Sequence, residues 1–260
     1  PGAAGVIAID HHGPLAVLTI DNPPVNLWDA GMQEGLTGAV RELVAAPPRA
    51  LLIRAEGRVV TGGVDVNVFA GLTADSGGTL WQDLLQVIHD VEDLPCPTIF
   101  AAHALCLTWG LELALACDLL VASEKAKFGL VERVVGIAPS MGGPQRLALR
   151  AGPARAKELV YTGELYSAET LHEWGVVTRL LPADGFDDGA RAYARQIAEG
   201  PTKAFAVSKR LVSEAVEHGA RAADALVPEH AGALFDTEDA RNAIASFLAE
   251  GPGKATYEGR

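Results

Sequence analysis

The stretch PTIFAAHALCLTWGLELALACDLLVA, residues 97–122, is the most apolar run of the chain, and its reading decides the fold. Its length invites a membrane span. His103, Gly110, Glu112 and Asp118 interrupt it, however, and a charge near mid-bilayer is expensive. The run therefore divides into a buried strand (TIFAA), a helix (GLELALAC) and a second buried strand (DLLVAS). Glu112 lies in the middle of it, and Glu132 lies twenty positions on, in the similarly apolar, glycine-punctuated KFGLVERVVGIAPSMGG. A lone carboxylate in such surroundings loses solvation, so it must find a hydrogen-bond partner, raise its pKa or serve chemistry. Two of them at this spacing suggest a shared pocket.

Outward from this stretch, strand-like runs alternate with helical ones. GVIAID and LAVLTI, separated by HHGP, read as a hairpin. Residues 30–46 carry apolar side chains at helical spacing and stop before Pro47-Pro48. ALLIRAE reads as a buried strand, followed by a turn at Thr61-Gly62-Gly63 and a helix over 79–93, whose Trp81, Leu84, Leu85 and Ile88 could wall an acyl pocket. Such alternation predicts an α/β architecture, with helices covering a largely parallel sheet. Beyond about residue 184 the strand signal ends and four successive helices are predicted. The chain divides into an α/β core, residues 1–195, and a helical region, residues 196–260, with GPGKATYEGR as a loosely held tail.

Composition narrows the function classes. With 260 residues, 49% of them hydrophobic, the chain can bury a large core. Twenty-one basic against 33 acidic side chains leave a formal charge of −12 without a basic cluster, which argues against nucleic acid and anionic membranes as partners. Cys96, Cys106 and Cys117 form no C-x-x-C pair and lie in apolar runs, pointing to reduced thiols and a cytoplasmic setting. No secretory signal is visible at the start. The histidines, His11-His12 included, lack metal-ligand spacing, so no metal site is expected.

Several ordered motifs resemble the signatures of the crotonase superfamily, the enoyl-CoA hydratase/isomerases. Val59-Val60-Thr61-Gly62-Gly63-Val64-Asp65-Val66 is similar to the first, a strand running into a small-residue turn. Pro97 to Asp118, with Glu112, Leu113, Ala114, Cys117 and Asp118 in register, is similar to the second. Phe128-Gly129 through Glu132 to Gly136, then Pro139, Gly142-Gly143 and Gln145-Arg146-Leu147, resembles the third. Asp21-Asn22-Pro23-Pro24-Val25-Asn26 resembles the family's early CoA-contacting turn. The match covers nearly the whole chain.

The resemblance implies a spiral of repeated ββα units with a helical C-terminal oligomerisation region, an acyl-CoA thioester as substrate and a homotrimer or dimer of trimers. No cofactor is implied beyond the coenzyme A carried by the substrate. It implies addition of water across the 2,3 double bond of a 2-enoyl-CoA, with Glu112 orienting and deprotonating the water and Glu132 delivering a proton to C2. Chemistry at C2 or C3 passes through an enolate-like state, whose charge two backbone N–H groups can meet at low reorganisation cost. By resemblance these belong to Val64 and Trp109. Pro24 and Val25 would line the pantetheine path, with Gly62 and Val66 at the adenine and Lys254 or Arg260 as weak candidates for the phosphates. A double-bond isomerase using mainly Glu132 and a non-catalytic acyl-CoA-binding relative are the alternatives.

Two positions depart from the pattern. Thr108-Trp109-Gly110 stands where the family commonly has three glycines, adding bulk expected near the acyl group. Ser140 stands where matching hydratases have a glycine whose amide contacts the catalytic water. A nucleophilic role for Ser140 is disfavoured, since Pro-Ser-Met-Gly-Gly is not a G-x-S-x-G elbow and no matched His motif follows.

Overall fold

A computed structural model of the protein describes residues 5–260. The hairpin β1 (Ile7–His12) and β2 (Leu15–Ile20) comes first, then α1 (Ala30–Ala45), β3 (Ala50–Ala55), α2 (Ala74–Glu92), β4 (Thr98–Ala102), β5 (Cys106–Leu107), α3 (Trp109–Ala116), β6 (Leu119–Ser123) and β7 (Lys127–Gly129). There follow α4 (Gly143–Ala151), α5 (Pro153–Thr162), β8 (Tyr166–Ser167), α6 (Ala168–Glu173), β9 (Arg179–Leu181), and the C-terminal helices α7 (Phe186–Ala198), α8 (Thr202–His218), α9 (Ala220–His230) and α10 (Glu238–Glu250).

A six-stranded sheet runs β1-β2-β3-β4-β6-β9, antiparallel only at β1/β2. Its central strands are buried on both faces, which explains why they read as continuous apolar runs rather than alternating ones. The period of two still sorts their side chains. Leu18, Leu51 and Phe100 face the main core with α1, α2 and α3, while Val17, Leu52 and Ile99 face the opposite side, covered by Phe186, Ala190 and Ala194 of α7. The small residues on α7 let that helix lie close to the sheet.

A second, three-stranded sheet, β5-β7-β8, stands beside the first and carries the site. Its parallel pairing of Leu107 with Gly129 brings the start of α3 next to the chain that leads into Glu132. The second sheet is tied to the 61–64 turn. Val60 and Thr61 N–H groups donate to the Leu105 carbonyl at 2.9 and 3.1 Å, and the Thr61 carbonyl accepts from Leu107 N–H.

Two expectations are corrected. The helix predicted over 79–93 begins at Ala74, because Thr73 and Ser76 form a capping box that starts it ahead of Gly77-Gly78. The tail is tethered. Asp239 accepts from the Glu258 and Gly259 amides, both at 2.8 Å, and its own amide donates to the Arg260 carbonyl at 3.0 Å.

Candidate active site

Helix α3 starts in an unusual way. Thr108, its N-cap, has φ 48° and ψ −120°, a region disfavoured for side-chain-bearing residues and costing on the order of 1–3 kcal/mol. The turn it makes is held at both ends, since Thr108 N–H donates to the Gly129 carbonyl at 2.9 Å and the Thr108 carbonyl accepts from Glu112 N–H at 3.0 Å. Every residue of α3 is buried, Glu112 included. Gly110 is required by packing: a Cβ there would sit 2.5 Å from Thr61 Cγ2.

An apolar cavity of about 500 Å³ lies where α3, the 62–64 turn, α2 and the Glu132 region meet. Trp28, Phe69, Trp81 and Leu84 wall it, and its polar groups include Glu112, Glu132, Thr108 and Ser140. Val64 and Trp109 both line it, and the backbone N–H of neither meets an acceptor among the described residues. Backbone donors in a buried wall are costly to leave unpaired, so such a pair is suited to receive an oxygen atom.

The two carboxyls differ in how they are held. Glu112 Oε1 accepts from Met141 N–H and Gly143 N–H, each at 2.9 Å, so its carboxyl caps the N-terminus of α4. That helix is fixed in turn by Arg146, whose guanidinium forks onto Glu92 at the end of α2, Nε to Oε1 at 3.0 Å and Nη2 to Oε2. Glu132 opens a one-turn 3-10 helix, Glu132–Val135, and its buried Oε2 has no protein partner. Burial raises Glu112 to about 8, the charge of Glu132 adding to the rise and the two amides opposing it. Burial raises Glu132 to about 7. Such a pair titrates jointly and holds one proton between those two values.

Of the residues singled out in the sequence, the cavity brings together Glu112, Glu132, Val64, Trp109, Ser140, Gly62 and Val66. Pro24 and Val25 are not in its wall, although Gly62 N–H donates to the Val25 carbonyl at 2.7 Å and so joins the two turns. Trp81 and Leu84 line the cavity as expected; Leu85 and Ile88 do not, Ile88 being packed in the core. Arg260 is engaged within the chain by Glu238 and Glu258. Ser140 Oγ donates to the Ala138 carbonyl at 2.8 Å, and no His faces it across the cavity, which removes the nucleophile reading.

Sequence reasoning missed two features. Trp109 does not simply add bulk beside the acyl site: its ring is buried and its Nε1 donates to the Gly63 carbonyl at 3.0 Å. Gly143 is needed because a Cβ there would lie 2.7 Å from Glu112 Cγ. Its place in Gly142-Gly143 of the third motif was the available signal.

A six-stranded sheet with a three-stranded sheet beside it, their covering helices and a cavity walled by α2, α3 and the 62–64 turn make up the crotonase fold. Enoyl-CoA hydratase structures from Bacillus anthracis (26% identity, TM-score 0.89, covering 98% of this chain and 100% of that one) and Mycobacterium smegmatis (25% identity, TM-score 0.88, 94% and 96%) superpose on it. The family model described as enoyl-CoA hydratase/isomerase matches residues 10–259, so the chain belongs to that family. A Bacillus subtilis (strain 168) relative named "Probable enoyl-CoA hydratase" is 32% identical over 246 residues, 93% of this chain and 94% of that protein. Mycobacterium bovis (strain BCG / Pasteur 1173P2) has one with the name "Probable enoyl-CoA hydratase EchA17", 33% identical over 204 residues and 78% of each.

Proposed function

We propose that the chain is a lyase that adds water across the 2,3 double bond of 2-enoyl-CoA thioesters. The observation that carries this reading is the pair of buried carboxyls in one apolar cavity, one fixed by two amides and the other with its buried Oε2 left without a protein partner.

In this reading the reacting form has its proton on Glu132: burial lifts Glu112 further, to about 8 against about 7, but two N–H bonds to its Oε1 hold the Glu112 anion, whereas Glu132 Oε2 has no protein donor to hold one. A water held between them loses a proton to Glu112 as its oxygen bonds to C3. The C2–C3 π electrons move toward the thioester carbonyl, and the resulting enolate oxygen is met by Val64 and Trp109 N–H, the latter at the positive end of α3. Glu132 then transfers its proton to C2. The pair ends with its proton on Glu112, and return of that proton to Glu132 resets the site. The chemistry is acid–base addition and calls for no group beyond the substrate's own coenzyme A.

Coenzyme A would enter along the 24–25 turn, with Pro24 and Val25 beside the pantetheine and Gly62 and Val66 at the adenine; half of Val66 is exposed at the cavity mouth, consistent with that use. A homotrimer or dimer of trimers is supported by α8, a 17-residue helix with no buried residue in the single chain, and by exposed Val212, Phe235, Phe247 and Leu248. Among the described residues no helix is long and apolar enough to cross a membrane, and a cytoplasmic setting fits the three unpaired thiols. The test is to incubate the purified protein with short and medium 2-enoyl-CoA esters and follow loss of the conjugated thioester absorbance. Binding without turnover on any ester would defeat the reading.

A further inference from the structure

The Gly63–Val64 peptide is held from behind by two N–H donors and, more weakly, by a hydroxyl. Its carbonyl oxygen accepts from Trp28 N–H at 2.9 Å and from the Trp109 indole at 3.0 Å, and lies 3.3 Å from Thr61 Oγ1, whose hydroxyl makes its shorter bond, 2.7 Å, to the Asn26 carbonyl. The N–H on the other side of the same peptide unit is that of Val64, a residue that lines the cavity and whose N–H meets no acceptor among the described residues. A trans peptide is planar, so fixing its carbonyl fixes the direction of its N–H. Charge drawn toward a carbonyl hydrogen-bonded in this way also leaves the N–H a stronger donor, because bonds in a chain polarise one another in a low-dielectric interior.

Trp109 therefore acts at both donors. Its backbone N–H is one of them, and its side chain grips the peptide that supplies the other. The indole is itself fixed. Its ring is 1% exposed and packs against Trp28 with ring centroids 5.2 Å apart and planes tilted by 59°. Trp28 closes the arrangement by donating to the Gly63 carbonyl and accepting from Asp65 N–H at 2.9 Å. A glycine at 109 could supply the backbone donor, but nothing in it would reach Gly63.

We propose that the Trp109 indole is a positioning group for the oxyanion hole: its hydrogen bond to the Gly63 carbonyl sets the spacing between the Val64 and Trp109 amides and strengthens the first. The proposal rests on the reading of those two amides as the oxyanion donors.

The test replaces the indole N–H while keeping the ring. Trp109 is substituted by β-(3-benzothienyl)alanine, in which sulfur takes the place of N–H, and separately by Phe. Each folded protein is bound to a push–pull aminocinnamoyl-CoA, whose absorbance moves to the red when its thioester carbonyl is polarised. Wild type should show the red shift. The benzothienyl variant should lose at least about half of it, and its kcat should fall about tenfold, a fraction of the 10²–10³-fold cost of deleting a donor outright, with KM within about threefold. Should Trp109→Phe fail to fold, the benzothienyl variant alone decides. A ring that merely packs would leave the red shift and kcat of that variant at wild-type values, and this result would overturn the proposal. Absence of a red shift in wild type would overturn the oxyanion reading and the proposal together.

Discussion

Gly143 and Glu112 are in such close contact that no side chain fits between them: a Cβ on residue 143 would lie 2.7 Å from Glu112 Cγ and 2.9 Å from its Oε1. The same glycine donates its amide to that oxygen. Gly143→Ala should push the carboxyl off its two amides, and displacement by about 1 Å is enough to cost roughly 10²-fold in rate. The expected result is a folded protein with kcat reduced about 100-fold and acyl-CoA affinity nearly unchanged. Wild-type kcat would show that Glu112 need not be held there.

Glu132→Gln keeps the shape of the side chain and removes the proton it would deliver. Hydration should fall about 10²- to 10⁴-fold, the usual range for loss of a general acid, while binding of a saturated acyl-CoA persists. Calorimetric titration beside the rate assay separates the two effects.

Glu112→Gln should be as severe, and the double variant should not multiply the two losses, because both groups act on one water. A double variant as slow as the product of the single effects would mean that the carboxyls act independently. Isomerisation of a 3-enoyl-CoA surviving in Glu112→Gln would favour the isomerase alternative.

The pH profile follows from the raised carboxyls. One must be ionised and the other protonated, so kcat/KM should be bell-shaped with its maximum between the pair's values of about 7 and 8. Stability has a definite sign as well. Both groups bind protons more tightly folded than at the ordinary 4.5, so their contribution is fully present below 4.5 and is lost as pH rises through 7 and 8. Thermal melts should therefore show wild type losing Tm relative to the Glu112→Gln/Glu132→Gln variant across that window. Equal pH dependence of the two proteins would contradict it.

Trp81 and Phe69 pack with ring centroids 5.7 Å apart in the wall of the cavity. Trp81→Ala should enlarge the acyl end and raise kcat/KM for bulky or long enoyl-CoA esters relative to crotonyl-CoA by about tenfold, the scale of one to two methylenes of pocket discrimination. A uniform change across chain lengths would place Trp81 outside the acyl path.

The central strands and α3 were legible in the sequence because burial on both faces writes itself as unbroken apolar runs. The start of α2 was not, since Gly77-Gly78 reads as a break while the capping box at Thr73 and Ser76 precedes it. β5 and β8, two residues each, are too short to carry a pattern and exist through pairing with β7 and, for β5, with Thr61 as well. At the site, resemblance placed Glu112 and Glu132 in one pocket. It could not reveal that Glu112 caps α4, or that the Trp109 indole reaches Gly63, because both contacts join residues 31 and 46 positions apart through the fold.

If Glu112 and Glu132 together add one water to a 2-enoyl-CoA, the product takes both its new oxygen and its new hydrogen from solvent. Crotonyl-CoA is incubated with the enzyme in ¹⁸O-labelled heavy water and the product is analysed by mass spectrometry. Wild type should form 3-hydroxybutyryl-CoA carrying one solvent oxygen at C3 and one solvent deuterium at C2, and Glu132→Gln should form almost none. Product without solvent oxygen, or undiminished incorporation by Glu132→Gln, would contradict it.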